Sequence, residues 1–323
     1  MNKDLEKIRL LLLHLVKSTR YYSLTCFRIV RDWIKHNWPK VRKRLMLYIR
    51  LARLDKPIGA MLLLWPTLWA LWLASVGIPS LHLFLVFGLG VFLTRSAGCI
   101  VNDIADRDLD RHVKRTRSRP LSAGEIDPKE AMLVVIVMLL LAFMLVLTTN
   151  RLTVYLSFIA IPLAAIYPFM KRHTYIPQFF LGLAFSWGIP MAFTAQTGSV
   201  PNIAWLLFIA NILWVVVYDT IYAMVDREDD LKIGIKSTAI LFDDADRIFI
   251  GIIQIMLLIV LVVIGVQIEA NMIYYWFLSA SAAWMLYHQY IIRDRQPDAC
   301  FRAFLSNNWL GMTIFGGFLF NYL

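Results

Sequence analysis

Two stretches of the chain gather acidic side chains at spacings suited to a hard metal ion. The first reads Asn102-Asp103-Ile104-Ala105-Asp106-Arg107-Asp108-Leu109-Asp110. The second runs from Asp219 through Tyr222 and Asp226 to Asp229-Asp230. On a helix, Asn102, Asp106 and Asp110 share one face, with Asp103 beside them, and Asp219, Asp226 and Asp230 share another. Crowded carboxylates raise one another's pKa unless cations compensate. Mg²⁺ meets that need: it binds one or two carboxylates and completes its shell with water and phosphate oxygens. Two such clusters facing each other would hold Mg²⁺ around one diphosphate. Basic residues follow both: His112, Lys114, Arg115, Arg117 and Arg119 after the first, Lys232 and Lys236 after the second. Some of these would neutralise the outer phosphate oxygens as charge develops on a leaving diphosphate. An EF-hand is excluded, because its acids alternate around a central glycine. Zinc is disfavoured too, because Cys26, Cys99 and Cys300 are isolated and no H-E-x-x-H occurs.

The elements that must position these acids lie in a membrane. Of 323 residues, 59% are hydrophobic and only 17% charged, and mean hydropathy is +0.62. Soluble chains average about 25% charged residues. Apolar stretches run over about 57–76, 80–101, 131–148, 152–170, 178–195, 203–222, 247–266, 271–291 and 303–323, each near the length of a spanning helix. Pro66, Pro162, Pro168 and Pro190 fall inside them, which neighbouring helices tolerate. The expected fold is an all-α polytopic membrane bundle of about nine transmembrane helices.

The net charge of +11 is read as positive-inside bias rather than as nucleic-acid binding. With the N-terminus in the cytoplasm, 31 of the 33 Lys and Arg fall in or beside cytoplasmic segments. Arg95 lies within the second span, and Arg151 alone sits in an opposite-side loop. Both acidic clusters then stand at cytoplasmic span ends, four spans apart. That interval implies two pseudo-repeated four-helix halves plus a last helix, around a cytoplasmic cavity. Residues 1–50 form a separate basic segment, expected as amphipathic helices on the membrane surface. Early acids and the lack of an A-x-A site argue against a cleaved signal there. Residues 51–323 make up the transmembrane domain.

Asn102-Asp103-x-x-Asp106-x-x-x-Asp110 and Asp226-x-x-x-Asp230 resemble the two motifs of the UbiA-type intramembrane prenyltransferases. Longer runs resemble the bacterial branch that acts on 4-hydroxybenzoate: Leu54-Asp55-Lys56-Pro57-Ile58-Gly59, Leu64-Trp65-Pro66-Thr67-Leu68-Trp69, Tyr167-Pro168-Phe169-Met170-Lys171-Arg172, and Tyr218-Asp219-Thr220 onward. The resemblance covers about residues 48–323. It implies a polyprenyl diphosphate donor, 4-hydroxybenzoate as acceptor and Mg²⁺ as cofactor, in ubiquinone synthesis at a bacterial inner membrane. Its catalytic set is Asp103, Asp106, Asp110, Asp226 and Asp230, and its metal ligands are Asn102, Asp106, Asp110, Asp226 and Asp230. Lys114, Arg115, Lys171, Arg172, Lys232 and Lys236 are the expected diphosphate partners. Arg53, Arg172, Asp219 and Tyr222 are the expected acceptor contacts, since a forked guanidinium suits a carboxylate. A CDP-alcohol phosphotransferase would need a D-G-x-x-A-R run that is missing here. An ion-coupled transporter would place its acids near mid-span.

Overall fold

A computed structural model describes residue 31 and residues 35–111 and 116–323, apart from the side chain of Leu109. The chain divides into two units, Met1–Arg50 and Leu51–Leu323. In the first unit, residues 35–50 form helix α1. The amphipathic helices expected before residue 31 lie outside the described residues.

The second unit is all helix and connecting loop among its described residues. Its helices are α2 Ile58–Ser75, α3 Leu81–Ala105, α4 Arg107–Asp110, α5 Pro128–Leu147, α6 Arg151–His173, α7 Pro177–Ser186, α8 Gly188–Thr197, α9 Asn202–Ile233, α10 Thr238–Phe242, α11 Asp246–Gln267, α12 Met272–Ile291 and α13 Pro297–Asn321. Among the described residues, seven segments are long and apolar enough to cross a membrane, with α7 and α8 counted as one and α10 and α11 as another. Helices α12 and α13 have the length, at 20 and 25 residues, but are more polar. Side-chain caps open several helices: Ser80 accepts from Leu83 N, Asp127 from Lys129 N, Asn150 from Thr153 N and Asn271 from Tyr274 N. In lipid no water serves the orphan amides of a helix start, so such caps matter more there.

Helix packing follows the expected repeat. α3 packs along α5 as α9 packs along α11, and α2 meets α3 as α7 meets α9. The two acidic stretches therefore end equivalent helices, α3 and α9. α13 closes the unit against α2, α9 and α12.

Three indole N–H groups bind this closing helix. Trp65 donates to Asn308 Oδ1 at 2.9 Å, Trp69 to the Gly311 carbonyl at 3.0 Å and Trp214 to Asn307 Oδ1 at 3.0 Å. A buried indole needs such an acceptor. Gly311 permits the approach: a Cβ there would stand 2.5 Å from Trp214 and 2.7 Å from Trp65. Neither ring has room to yield, since Trp214 is fully buried and Trp65 nearly so. Gly311→Ala is therefore expected to cost about 1–3 kcal/mol by overpacking, read as a lowered Tm of the detergent-solubilised protein. An unchanged Tm would show that the Trp65–Trp214 contact can slide.

Two expectations of local structure need correction. The first acidic stretch is not a straight continuation of its span. α3 stops at Ala105, Asp106 turns at φ −99° and ψ 3°, and the short α4 follows. The fifth span breaks at Trp187–Gly188 into α7 and α8. The second acidic stretch does continue its helix, and α9 runs unbroken past Asp230 until Gly234 closes it in the left-handed region.

Candidate active site

Asp103, Asp106 and Asp110 are buried, with 1%, 2% and 7% of their surface exposed. Buried carboxylates need countercharge, and it comes from three separate elements. Arg53, in the turn before α2, donates through one Nη to both oxygens of Asp103 at 3.0 and 3.1 Å. Arg119, in the loop after α4, donates to Asp103 Oδ1 at 3.0 Å and to Asp110 Oδ2 at 2.7 Å. The last turn of α6 supplies Lys171, whose Nζ donates to Asp106 Oδ2, and Arg172. Arg172 donates to the Ala105 carbonyl at 2.9 Å and stands 3.6 Å from Asp106 Oδ1, too far for a hydrogen bond. Asp106 Oδ1 is thus a buried carboxylate oxygen without a hydrogen bond. Arg53 adopts φ +57°, which costs a residue with a Cβ roughly 1–2 kcal/mol. The ion pair to Asp103 offsets that strain.

The end of α6 also reaches toward the second acidic stretch. The Lys236 amide, just beyond α9, donates to the Lys171 carbonyl at 2.9 Å. Lys236 Nζ donates to the His173 carbonyl at 3.4 Å and lies over the Tyr175 ring at 5.2 Å. Lys171 therefore touches Asp106 through its side chain and the loop after Asp226 and Asp230 through its backbone. Asp226 and Asp230 are half-buried on the last turns of α9. Arg227 is drawn to Asp243. Lys232 turns outward to Asp229 at 3.3 Å, and both are exposed. Lys114 and Arg115 fall outside the described residues.

Toward the bundle interior lies a polar patch that begins with Arg95. This residue is seven positions before Asn102 on α3, hence on nearly the same face. Its Nη1 lies 2.8 Å from Cys99 Sγ, its guanidinium 5.5 Å from the Phe185 ring centre, and its Nε is buried without a partner. Gly59 makes room for it, since a Cβ there would be 2.6 Å from Arg95 Nη2. No carboxylate forms an ion pair with Arg95 among the described residues. Its electrostatic neighbours include Tyr167, Tyr218 and Tyr222. Asp219 feels both Arg95 and Lys171, and Tyr167 feels Asp219, Arg95, Asp106 and Tyr222. Charged and phenolic groups thus follow one another from the aromatic-lined Arg95 to the acids around Asp106.

Asp219 and Tyr222, expected as acceptor contacts, are electrostatic neighbours of Tyr167 together with Arg95 and Asp106. Arg95 was not among the expected ligand contacts, and Arg119 was only one of the basic run from which some diphosphate partners were expected. Arg95 carried a signal, being a cation inside an otherwise apolar span, where ionisable residues are functional by default. Arg119 carried none beyond its place in a basic run.

The donor set fits a divalent cation. Its hard oxygens include the open lone pairs of Asp106 Oδ1, and basic side chains crowd the same acids. Among the described residues, no three His, Cys, Asp or Glu groups stand close enough to hold a metal between them. Ligand phosphates and water would have to complete the shell, as is usual for Mg²⁺.

The profile of the UbiA prenyltransferase family matches residues 63–314. A 4-hydroxybenzoate octaprenyltransferase of Aeromonas hydrophila is 56% identical over 282 residues, 87% of this chain and 98% of that protein. The protein of the same name from Pseudomonas aeruginosa is 56% identical over 275 residues, 85% of this chain and 93% of that one. The apo UbiA homologue of Aeropyrum pernix K1 superposes with a TM-score of 0.72 at 22% identity, covering 82% of this chain and 99% of that one. A UbiA homologue of Archaeoglobus fulgidus bound to GPP and Mg²⁺ gives 0.69 at 19% identity, covering 85% and 99%. At those identities the structural likeness bears on the fold. The match over most of the chain and the near full-length identity to the bacterial proteins lead to one conclusion: this multi-pass membrane protein belongs to the UbiA prenyltransferase family.

Proposed function

We propose that the chain transfers a polyprenyl group from its diphosphate to the carbon of 4-hydroxybenzoate ortho to the hydroxyl, a step of ubiquinone biosynthesis. The observation that carries this reading is the continuity of the Arg95–Asp219 patch with the acids around Asp106. It offers a carboxylate partner and a phenol partner beside a diphosphate site. The names of the bacterial relatives support the acceptor. The Lys and Arg distribution supports a site on the cytoplasmic side of a bacterial inner membrane.

Asn102, Asp106, Asp110, Asp226 and Asp230 are the residues that would hold Mg²⁺, and Asp103 would fix Arg53 and Arg119 beside them. Bound there, the ion would neutralise charge on the diphosphate oxygens. Lys171, Arg172 and Arg119 already bear on the acids and would turn their N–H groups to the phosphates, with Lys236 at the rim. As the allylic C–O bond breaks, its electron pair leaves with the diphosphate, and these cations stabilise the growing charge. The ring carbon then attacks the allylic cation, and loss of the ring proton restores aromaticity. Arg95 takes the acceptor carboxylate in a forked contact. The phenol O–H donates to Asp219, which enriches the ring at the attacking carbon, and Tyr222 flanks it. Arg53 and Arg172 are assigned to the phosphate end, because both lie against acids of the first stretch. Apolar helix faces keep water from the cation.

Purified protein given a labelled polyprenyl diphosphate, Mg²⁺ and a panel of aromatic acids tests the proposal. Prenylated 4-hydroxybenzoate should form, vanish with EDTA and return when Mg²⁺ is restored. Preferred labelling of homogentisate or a naphthoate would replace the acceptor, and labelling that persists in EDTA would sink the metal assignment.

A further inference from the structure

A cavity of about 700 Å³ opens between α11 and α12, and none of its lining residues comes from α3, α6 or α9. It is built by two helical stripes. Arg247, Gly251, Gln254 and Leu258 line it from α11, and Ala282, Leu286 and Gln289 face them from α12. The small residues leave the space unfilled, since a Cβ on Gly251 would meet only the Gln289 amide, at 3.6 Å. The inner end is apolar. The mouth lies at the start of α11, the end of the bundle that also carries the acids closing α9.

Two hydrogen-bond donors along this groove lack partners. Gln254 is only 4% exposed. Its Oε1 accepts from Gln289 Nε2 at 3.0 Å, while its own Nε2 has no acceptor. Arg247 Nε is likewise buried and unmatched, although its two Nη groups reach the carbonyls of Arg293 and Gln289 at 3.2 and 3.5 Å. The two residues are seven apart, so the donors lie about 10 Å from one another along one face. Gln254, two turns inside α11, lies where no bulk water would satisfy it.

Charges at the mouth narrow the ligand. Arg295 is spent on Asp246, with Nε and Nη2 at 2.8–3.1 Å, and on the Asp244 carbonyl at 2.6 Å. The Asp246 hydrogen bonds push its pKa above the ordinary arginine value. Arg293 pairs with Asp294 at 3.1 Å. The exposed Asp244 carboxylate makes no ion pair among the described residues. The mouth thus presents a guanidinium for an anion and a carboxylate for a cation.

We infer that this groove is a binding site for an aminophospholipid. Its phosphate sits at Arg247, its primary ammonium at Asp244, an ester carbonyl on Gln254 Nε2 and one acyl chain along Leu258 and Leu286. The site is separate from the prenyl-transfer residues and does not depend on their assignment.

Native mass spectrometry of the purified chain, released from micelles holding equal phosphatidylethanolamine and phosphatidylglycerol of matched acyl chains, tests this. The wild type is expected to retain phosphatidylethanolamine about fivefold over phosphatidylglycerol, the worth of one exposed ion pair. Asp244→Asn should erase that preference, Gln254→Leu should weaken retention of both lipids, and Gly251→Leu should abolish it. If Gly251→Leu aggregates on size exclusion, Ala282→Leu fills the groove from the other side. Equal retention by the wild type, preference for phosphatidylglycerol, or undiminished retention in the filled groove would overturn the site.

Discussion

Asp106→Ala is expected to lower kcat/KM for prenyl transfer by about a hundred- to a thousandfold, the usual cost of losing one group that stabilises charge in a transition state. Among the described acids of the first stretch, Asp106 alone keeps a fully buried oxygen without a hydrogen bond. Asp103 and Asp110 are engaged by Arg53 and Arg119. The structure therefore separates the acids by kind of loss. Removing Asp106 frees Lys171 and Arg172, whose side chains are 24% and 41% exposed and can be taken up by water, so Tm should change little. Removing Asp103 strands the Arg53 guanidinium and leaves Arg119 on Asp110 alone, and the protein should lose stability as well as rate. Asp226→Ala should match Asp106→Ala in rate. The double variant should fall short of the product of the two, as expected of groups that act as a unit. A loss under about tenfold for Asp106→Ala, or full multiplicativity in the double variant, would break the single-site reading.

Arg95→Gln is expected to raise KM for 4-hydroxybenzoate by about a hundredfold or more, from about 3 kcal/mol for a desolvated charge contact. The KM for the polyprenyl diphosphate should hold. Arg95 has no carboxylate partner of its own among the described residues, so the substitution breaks no ion pair. Arg95→Lys keeps the charge without the fork and should recover only part of the loss. Arg53→Ala and Arg172→Ala, which the sequence offers as carboxylate partners, should act on the donor instead. Steady-state kinetics with each substrate varied in turn decides this. A rise in donor KM alone for Arg95→Gln would return the carboxylate to Arg53 or Arg172.

The expected spans and the helices agree closely because hydropathy and length are sums over neighbouring residues. The stretch 57–76 became Ile58–Ser75, and 247–266 became Asp246–Gln267. The acidic motifs were legible for the same reason, as was the matching place of the two at the ends of α3 and α9. The turn at Asp106 was not legible: no proline or glycine marks it, and it arises where Lys171 and Arg172 of α6 close on the end of α3.

By itself the sequence determined the membrane class, the distribution of charge to one side, the two acid clusters and the family. Only the tertiary structure decided which cation meets which acid. Arg53 and Asp103 are fifty residues apart, and Lys171 and Asp106 sixty-five. Such pairs depend on how each helix is rotated about its axis. In water an apolar stripe reveals that rotation. In lipid the outward faces are as apolar as the inward ones, so composition carries almost no trace of it. That is why the sequence showed Arg95 only as an arginine inside a span, and only packing placed it against Gly59, Phe185 and the field of Asp219.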